Sequence, residues 1–126
     1  MEVDVNVFHQ ASGEDVKMKN LPASLLDLDM YRRLVYQEEN GAEVVLDFSE
    51  EEVSMIRRGE SVTQALFSLK TPSYMHVHSE QGTLSFQVEI EEMVQKNNSL
   101  SILYALYHEN QEVSQNTYEC EWIGGE

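Results

Sequence analysis

The chain has 126 residues, a length that fits one domain, residues 1–126, with an apolar core that needs no disulfide or metal. Its formal net charge of −15 argues against nucleic acid and anionic membrane surfaces as partners, because both require clustered lysine and arginine. Cys120 is the single cysteine, so no intrachain disulfide can form. With no secretory leader at the amino terminus, we expect a reducing, cytoplasmic location.

Apolar and polar residues alternate with a period of two along most of the chain, which predicts half-buried strands between short turns. Residues 20–24 interrupt this pattern with a proline, and residues 25–30 suit either a strand or a short helix. We expect residues 1–2 and 124–126 to be frayed. The strands predicted in chain order are 3–7, 16–19, 31–38, 42–49, 53–57, 61–69, 74–79, 83–92, 102–107 and 118–122.

The connections between these strands are short, and short connections join neighbouring antiparallel strands. Asn40-Gly41 is the strongest hairpin signal, because both residues can adopt a positive φ in a tight turn. No segment predicts a helix longer than two turns. A meander of about eight to ten strands loses its exposed edges by closing on itself. The predicted fold is therefore all-β: a single antiparallel up-and-down β-barrel.

Several short motifs follow one another along the chain in a defined order. They are Tyr36-Gln37-Glu38-Glu39-Asn40-Gly41, Met55-Ile56-Arg57-Arg58-Gly59-Glu60, Gly82-Thr83-Leu84 and Leu103-Tyr104. Their order and spacing resemble the DUF1934, or YwiB-like, family of small uncharacterised bacterial proteins. The resemblance covers nearly the whole chain and is strongest over residues 31–123. Each motif is short, so the specificity of the resemblance comes from the order of the motifs.

The resemblance implies a calycin-like, lipocalin-type β-barrel, in agreement with the strand pattern, and a function that is unassigned. One departure concerns the turn at residues 79–82. Family members often have a Thr-Pro-Tyr-Gly-like sequence there, whereas this chain has Ser-Glu-Gln-Gly. If that turn shapes a ligand-binding mouth, the mouth of this chain differs. The family pattern falls on Tyr36, Glu38, Arg57, Gly59, Gly82 and Tyr104.

Arg57 adjoins a turn in a chain that has only eight lysine and arginine residues. There it could hold a carboxylate or phosphate in a bidentate contact, or it could form a weak surface pair with a nearby glutamate. Arg32 and Arg33 fall on opposite faces of one predicted strand, so one of them could point inward, toward Glu38 or Tyr36.

Aromatic residues on the predicted strands allow two interpretations. They could line a cavity with a few polar anchors, as in many small-molecule sites, or they could simply fill the barrel. The sequence leaves both interpretations open. The residues concerned are Tyr31, Tyr36, Phe67, Phe86, Tyr104, Tyr107 and Trp122.

His76 and His78 are two positions apart on a predicted strand, so their imidazoles share one face and could bind one metal ion. A complete metal site needs at least one further ligand. The candidates for that ligand are Glu89, Glu91 and His9. In the alternative interpretation, both histidines face water while Met75 and Val77 face the core.

Cys120 lies between Glu119 and Glu121. Neighbouring carboxylates raise the pKa of a thiol, so we do not expect a reactive thiolate. The sequence also contains no Gly-rich phosphate loop and no Cys-x-x-Cys motif, and no cofactor is predicted.

Three functions are compatible with these features. The leading hypothesis is a non-enzymatic protein that binds a small, partly apolar ligand in the mouth of the barrel. Tyr36, Glu38, Arg57 and Tyr104 would form its polar and aromatic lining. The alternative is a protein–protein interaction module that uses its acidic surface, an exposed strand edge or a homodimer interface. The third is a metal-dependent enzyme centred on the two histidines.

Overall fold

The computed structural model describes residues 1–124, and these residues form ten β-strands. The strands are β1 (Glu2–Ala11), β2 (Glu14–Asp27), β3 (Arg32–Gln37), β4 (Glu43–Phe48), β5 (Glu52–Arg58), β6 (Val62–Ser68), β7 (Ser73–Ser79), β8 (Gly82–Lys96), β9 (Ser99–His108) and β10 (Gln111–Ile123).

The ten strands form one closed barrel in which each strand pairs antiparallel with its neighbours in sequence. β1 pairs with β10, so closure leaves no free strand edge among residues 1–124. This arrangement confirms the predicted all-β, up-and-down barrel. Within the same residues, no helix is long and apolar enough to cross a membrane.

β2 continues through the segment that was predicted to interrupt it. At Asn20 the backbone adopts a φ of +57°, and the register between β1 and β2 shifts at this point. The main-chain N–H of Asn20 donates a hydrogen bond to Oδ1 of Asn6 at 2.9 Å. Residues 20–24 therefore contain a β-bulge, which absorbs an extra residue while the strand carries on.

The short helix considered for residues 25–30 is wrong. Residues 25–27 complete β2, and the chain then turns into β3. Across that turn, the main-chain N–H of Leu28 donates to the carbonyl of Tyr31, and the N–H of Tyr31 donates to the carbonyl of Leu28.

The amino terminus is held in the barrel, whereas we had expected residues 1–2 to be frayed. Glu2 pairs with Ser24 of β2, and the Met1 carbonyl accepts a hydrogen bond from the Leu25 N–H at 2.8 Å. At the other end, residues 125–126 of the predicted frayed tail lie outside the described part of the chain.

The turn that contains Asn40 and Gly41 joins two antiparallel strands, β3 and β4, as predicted. Only Gly41 has a positive φ, of 92°, whereas we had expected the turn to use positive φ at both residues. The Gly41 N–H donates to the carbonyl of Glu38 at 2.9 Å. Two other hairpins have positive φ at both central residues: Ser12-Gly13 and Glu109-Asn110.

The two ends of the barrel differ in packing. At the end that carries the β2–β3, β4–β5, β6–β7 and β8–β9 connections, large side chains fill the interior. The rings of Phe48 and Trp122 lie 5.4 Å apart between centroids, and Phe67 is fully buried. The Arg32 guanidinium covers the Phe48 and Trp122 rings at 4.9 and 5.3 Å and donates to the Asn97 carbonyl at 3.2 Å. We call this the closed end.

Candidate functional site

The opposite, open end of the barrel contains a cavity of about 830 Å³. It lies beneath the β1–β2, β3–β4 and β5–β6 hairpins, and its wall is formed by inward-facing side chains of most strands. A volume of this size is within the range of small-molecule sites. The apolar part of the wall includes Val7, Met18, Met55, Met75, Phe86 and Leu106.

Glu38 and Arg57 form an ion pair at the mouth of this cavity. Glu38 directly follows β3 and Arg57 lies on β5, so β4 lies between the two segments that carry the pair. Arg57 Nη2 donates to Glu38 Oε1 at 2.7 Å, and Arg57 Nε donates to both carboxylate oxygens at 3.1 and 3.2 Å. The Glu38 and Arg57 side chains are only 13% and 30% exposed. Hydrogen bonding to the carboxylate raises the pKa of Arg57.

Below this ion pair, two tyrosines meet across the interior of the barrel. The hydroxyl oxygens of Tyr36 and Tyr118 lie 2.6 Å apart, and both side chains are buried. Burial raises the pKa of both phenols above the usual range, because the charged phenolate would lose its hydration. The pair therefore remains a neutral hydrogen bond at physiological pH.

His9 is a cavity residue that the sequence reasoning considered only as a metal ligand. It follows Val3, Val5 and Val7 on the inward face of β1, and it is the register partner of Tyr118. Burial lowers the pKa of its imidazole; the Glu38 charge acts in the opposite direction, and Arg57 adds to the lowering. The alternation of β1 was the signal that could have placed this histidine inside the barrel.

The four residues predicted from the sequence to line a ligand site all contact the same cavity. They are Tyr36, Glu38, Arg57 and Tyr104. Tyr104 packs edge-on against Phe67 at 4.8 Å between centroids, and desolvation raises the pKa of its phenol to about 12. The structure therefore brings these residues together, while their role in binding a ligand stays a prediction.

Some of the predicted aromatic residues line a cavity, and others fill the core of the barrel. Tyr36, Tyr104 and Phe86 line the cavity, whereas Phe67 and Trp122 are buried in the core. Tyr31 and Tyr107 do not line the cavity. The barrel is therefore filled at one end and hollow at the other.

The other three arginines of the chain do not contact Glu38. Arg32 does face inward, but it lies at the closed end and does not meet Glu38 or Tyr36. Arg33 forms a bidentate pair with Asp47 at 2.7 and 3.0 Å. Arg58 lies 3.7 Å from Glu43, and both side chains are about half exposed. Arg57 is the arginine that contacts Glu38, and the surface pairing considered for it is wrong.

His76 and His78 share one face of β7, with ring centroids 6.3 Å apart. Their Nδ1 atoms are hydrogen-bonded to hydroxyls of Ser85 and Thr83, at 2.8 and 2.9 Å. The candidate third ligand His9 lies inside the barrel instead. Within residues 1–124, no group of three or more His, Cys, Asp or Glu residues could hold a metal ion.

Cys120 is buried on the inward face of β10. Burial raises the pKa of its thiol to about 12. The direction agrees with the expectation from the sequence, but the cause differs. Glu119 and Glu121 are exposed, because alternate residues of a strand point to opposite faces.

These features define the class of protein: a closed, ten-stranded antiparallel β-barrel with a cavity at one end. The sequence model of the family described as "Domain of unknown function (DUF1934)" matches residues 6–120, so the chain belongs to this family. The crystal structure of the YwiB protein from Bacillus subtilis is similar, with a TM-score of 0.68 and 14% identity over 99% of this chain and 91% of that chain. This likeness shows a shared fold. No curated protein matches the sequence.

Proposed function

We propose that the protein is a non-enzymatic binding protein that holds a small, largely apolar ligand in the open end of its barrel. The observation that carries the proposal is the cavity of about 830 Å³ in a barrel whose other end holds the buried side chains of Phe48, Phe67 and Trp122. Small-molecule sites are concave, mostly apolar and supplied with a few fixed polar groups. Here the ion pair of Glu38 and Arg57 provides fixed polar groups at the mouth.

The expected affinity follows from the apolar area that a ligand can hide. A ligand that buries about 300 Å² of apolar surface gains roughly 7 kcal/mol at about 25 cal/mol per Å². Association costs at least about 4 kcal/mol in lost translational and rotational freedom. The hydrophobic contribution alone therefore gives millimolar binding at best, and polar contacts are needed to reach the micromolar range.

Titration with N-phenyl-naphthylamine, an uncharged dye that fluoresces in apolar surroundings, tests the proposal. Leu106 lines the cavity, whereas the next residue, Tyr107, does not. We expect saturable fluorescence with the wild-type protein, a loss of affinity of tenfold or more in Leu106→Trp, and little change in Tyr107→Trp. Both variants place an indole on β9, so the pair separates cavity filling from a general effect of tryptophan. Equal binding by the two variants would exclude the cavity as the site.

Native mass spectrometry of gently purified protein provides an independent test of the same proposal. A small molecule that co-purifies and is released on denaturation would support ligand binding and would give the mass of the ligand. A bare monomer that also fails to bind the dye would argue against the proposal.

We also propose an interaction module, including a homodimer, as a second candidate. Its support is a group of exposed apolar side chains on and beside the turn between β2 and β3. Met30 is the most exposed of them, at 84%. The closed barrel removes the free strand edge considered earlier, so docking would use side chains. The group consists of Leu26, Leu28, Met30 and Tyr31.

Sedimentation velocity tests this second candidate. A dimer that dissociates in Met30→Lys but persists in Leu84→Lys would support it, since Leu84 is exposed elsewhere, at the start of β8. A wild-type protein that sediments as a monomer at all concentrations would exclude the homodimer.

A further inference from the structure

We propose that the ligand carries an uncharged hydrogen-bond acceptor, of the carbonyl type, at its polar end. This inference rests on the proposed ligand-binding function and deepens it by specifying the chemistry of the ligand. Its basis is the balance of charges and of unused hydrogen-bond donors around the cavity.

The charges inside the cavity already compensate each other. The Glu38 carboxylate receives three hydrogen bonds from Arg57, so neither residue has an unpaired charge to offer a ligand. The lining residues Lys17 and Glu39 are exposed at the rim. A carboxylate on the ligand would add an uncompensated negative charge to a chain of net charge −15, and an ammonium would face Arg57. Burying an unpaired charge is costly, so the cavity favours a neutral ligand.

One polar group that remains free at the cavity can only donate. Arg57 uses Nε and Nη2 for Glu38, and its Nη1 has no hydrogen-bond acceptor within residues 1–124. A guanidinium can donate but cannot accept. In the same part of the chain, the His9 imidazole and the Tyr104 hydroxyl also line the cavity without a hydrogen-bonded protein partner, and each can donate one hydrogen bond or accept one.

Gly59 lies next to the free Nη1 group of Arg57. A Cβ atom at Gly59 would lie 3.4 Å from Arg57 Nη1 and 3.2 Å from the Cβ of Ala42. The Nη1 side of the guanidinium therefore lies beside the β5–β6 turn, at the edge of the cavity that Arg57 lines. An acceptor on the ligand would satisfy a donor there that has no other protein partner.

A matched series of eight-carbon probes tests the inference by displacement of N-phenyl-naphthylamine: methyl hexyl ketone, octanoate and octylamine. At about pH 8 octanoate is anionic, octylamine is cationic, and His9 is neutral because burial lowers the pKa of its imidazole. We expect the ketone to bind at least tenfold more tightly than either charged probe. If octanoate or octylamine binds as tightly as the ketone while the dye binds saturably, the inference is wrong and the proposed function stands. If neither the dye nor any probe binds, both are wrong.

The double variant Glu38→Leu with Arg57→Met tests the donor directly, because it removes the guanidinium without leaving an unpaired carboxylate and introduces no new donor. We expect the affinity for the ketone to fall about tenfold, which is typical for loss of a hydrogen bond from a charged donor. An unchanged affinity for the ketone would overturn the role of Arg57. If this double variant does not fold, Tyr104→Phe provides the same test for a neutral donor, with a loss of several-fold expected.

Discussion

Glu38→Gln is the substitution that most directly tests the description of the site. It keeps the size of the side chain but removes the charge that compensates Arg57. In the native protein, the carboxylate accepts three hydrogen bonds from that guanidinium, the shortest at 2.7 Å. After the substitution, a side chain that is only 30% exposed would keep its positive charge without a charged partner.

The magnitude follows from the degree of burial. Exposed ion pairs contribute about 0.2–1 kcal/mol, and breaking a fully buried pair costs about 3–5 kcal/mol. This pair is intermediate, with exposures of 13% for Glu38 and 30% for Arg57. We therefore expect Glu38→Gln to lower the free energy of unfolding by about 2 kcal/mol. In a domain of this length, that corresponds to a decrease in Tm of roughly 8 °C.

Thermal and urea denaturation followed by circular dichroism would measure this change. Glu43→Gln is the matched control, because Glu43 lies 3.7 Å from Arg58 in a pair whose side chains are 47% and 56% exposed. We expect the control to change the free energy by less than about 0.5 kcal/mol. A double-mutant cycle with Arg57→Gln should give a coupling of about 1–2 kcal/mol. If Glu38→Gln costs no more than Glu43→Gln, partial burial does not raise the cost of leaving Arg57 without a charged partner, and the reasoning fails.

Three further predictions concern buried polar groups. Tyr36→Phe leaves the Tyr118 hydroxyl without its partner at 2.6 Å, so we expect a loss of about 1–2 kcal/mol by urea denaturation, against a negligible loss for the exposed Tyr74→Phe. Burial lowers the pKa of His9, so the unfolded state binds a proton at His9 more readily than the folded state does. The free energy of unfolding of the wild type should therefore fall as the pH decreases below about 6.5. His9→Phe should make the free energy of unfolding less dependent on pH in this range. Cys120 is buried and the pKa of its thiol is raised to about 12, so Ellman's reagent should modify it only after unfolding; rapid labelling of the native protein would contradict its placement.

Part of the candidate site could be predicted from the sequence. Family-like motifs pointed to Tyr36, Glu38, Arg57 and Tyr104, and the structure places all four around one cavity. The contact between Glu38 and Arg57 was not predicted, because the two residues are 19 positions apart and β4 lies between the segments that carry them. Sequence spacing within one strand gives the face of a residue, but not the residue it meets across the barrel.

The same limit explains why His9 and Tyr118 were not assigned to the cavity. Each lies on the inward face of its strand, which alternation alone could have shown. Their place in one cavity with Tyr36 depends on closure, since β1 pairs with β10 only when the first and last strands meet. A local pattern does not contain this pairing, because the paired residues are more than 100 positions apart.

The sequence by itself determined the class of fold and most of the strands. Period-two alternation requires one face of each strand to be buried, and short turns oblige successive strands to pair antiparallel. The tertiary structure decided where the barrel is filled and where it is hollow. Phe48, Trp122 and Arg32 pack together at the closed end, whereas the inward side chains at the other end leave about 830 Å³ unfilled. Alternation fixes which side chains face inward. Only the register around the closed barrel sets the position of each side chain along the barrel axis, and therefore which of them meet.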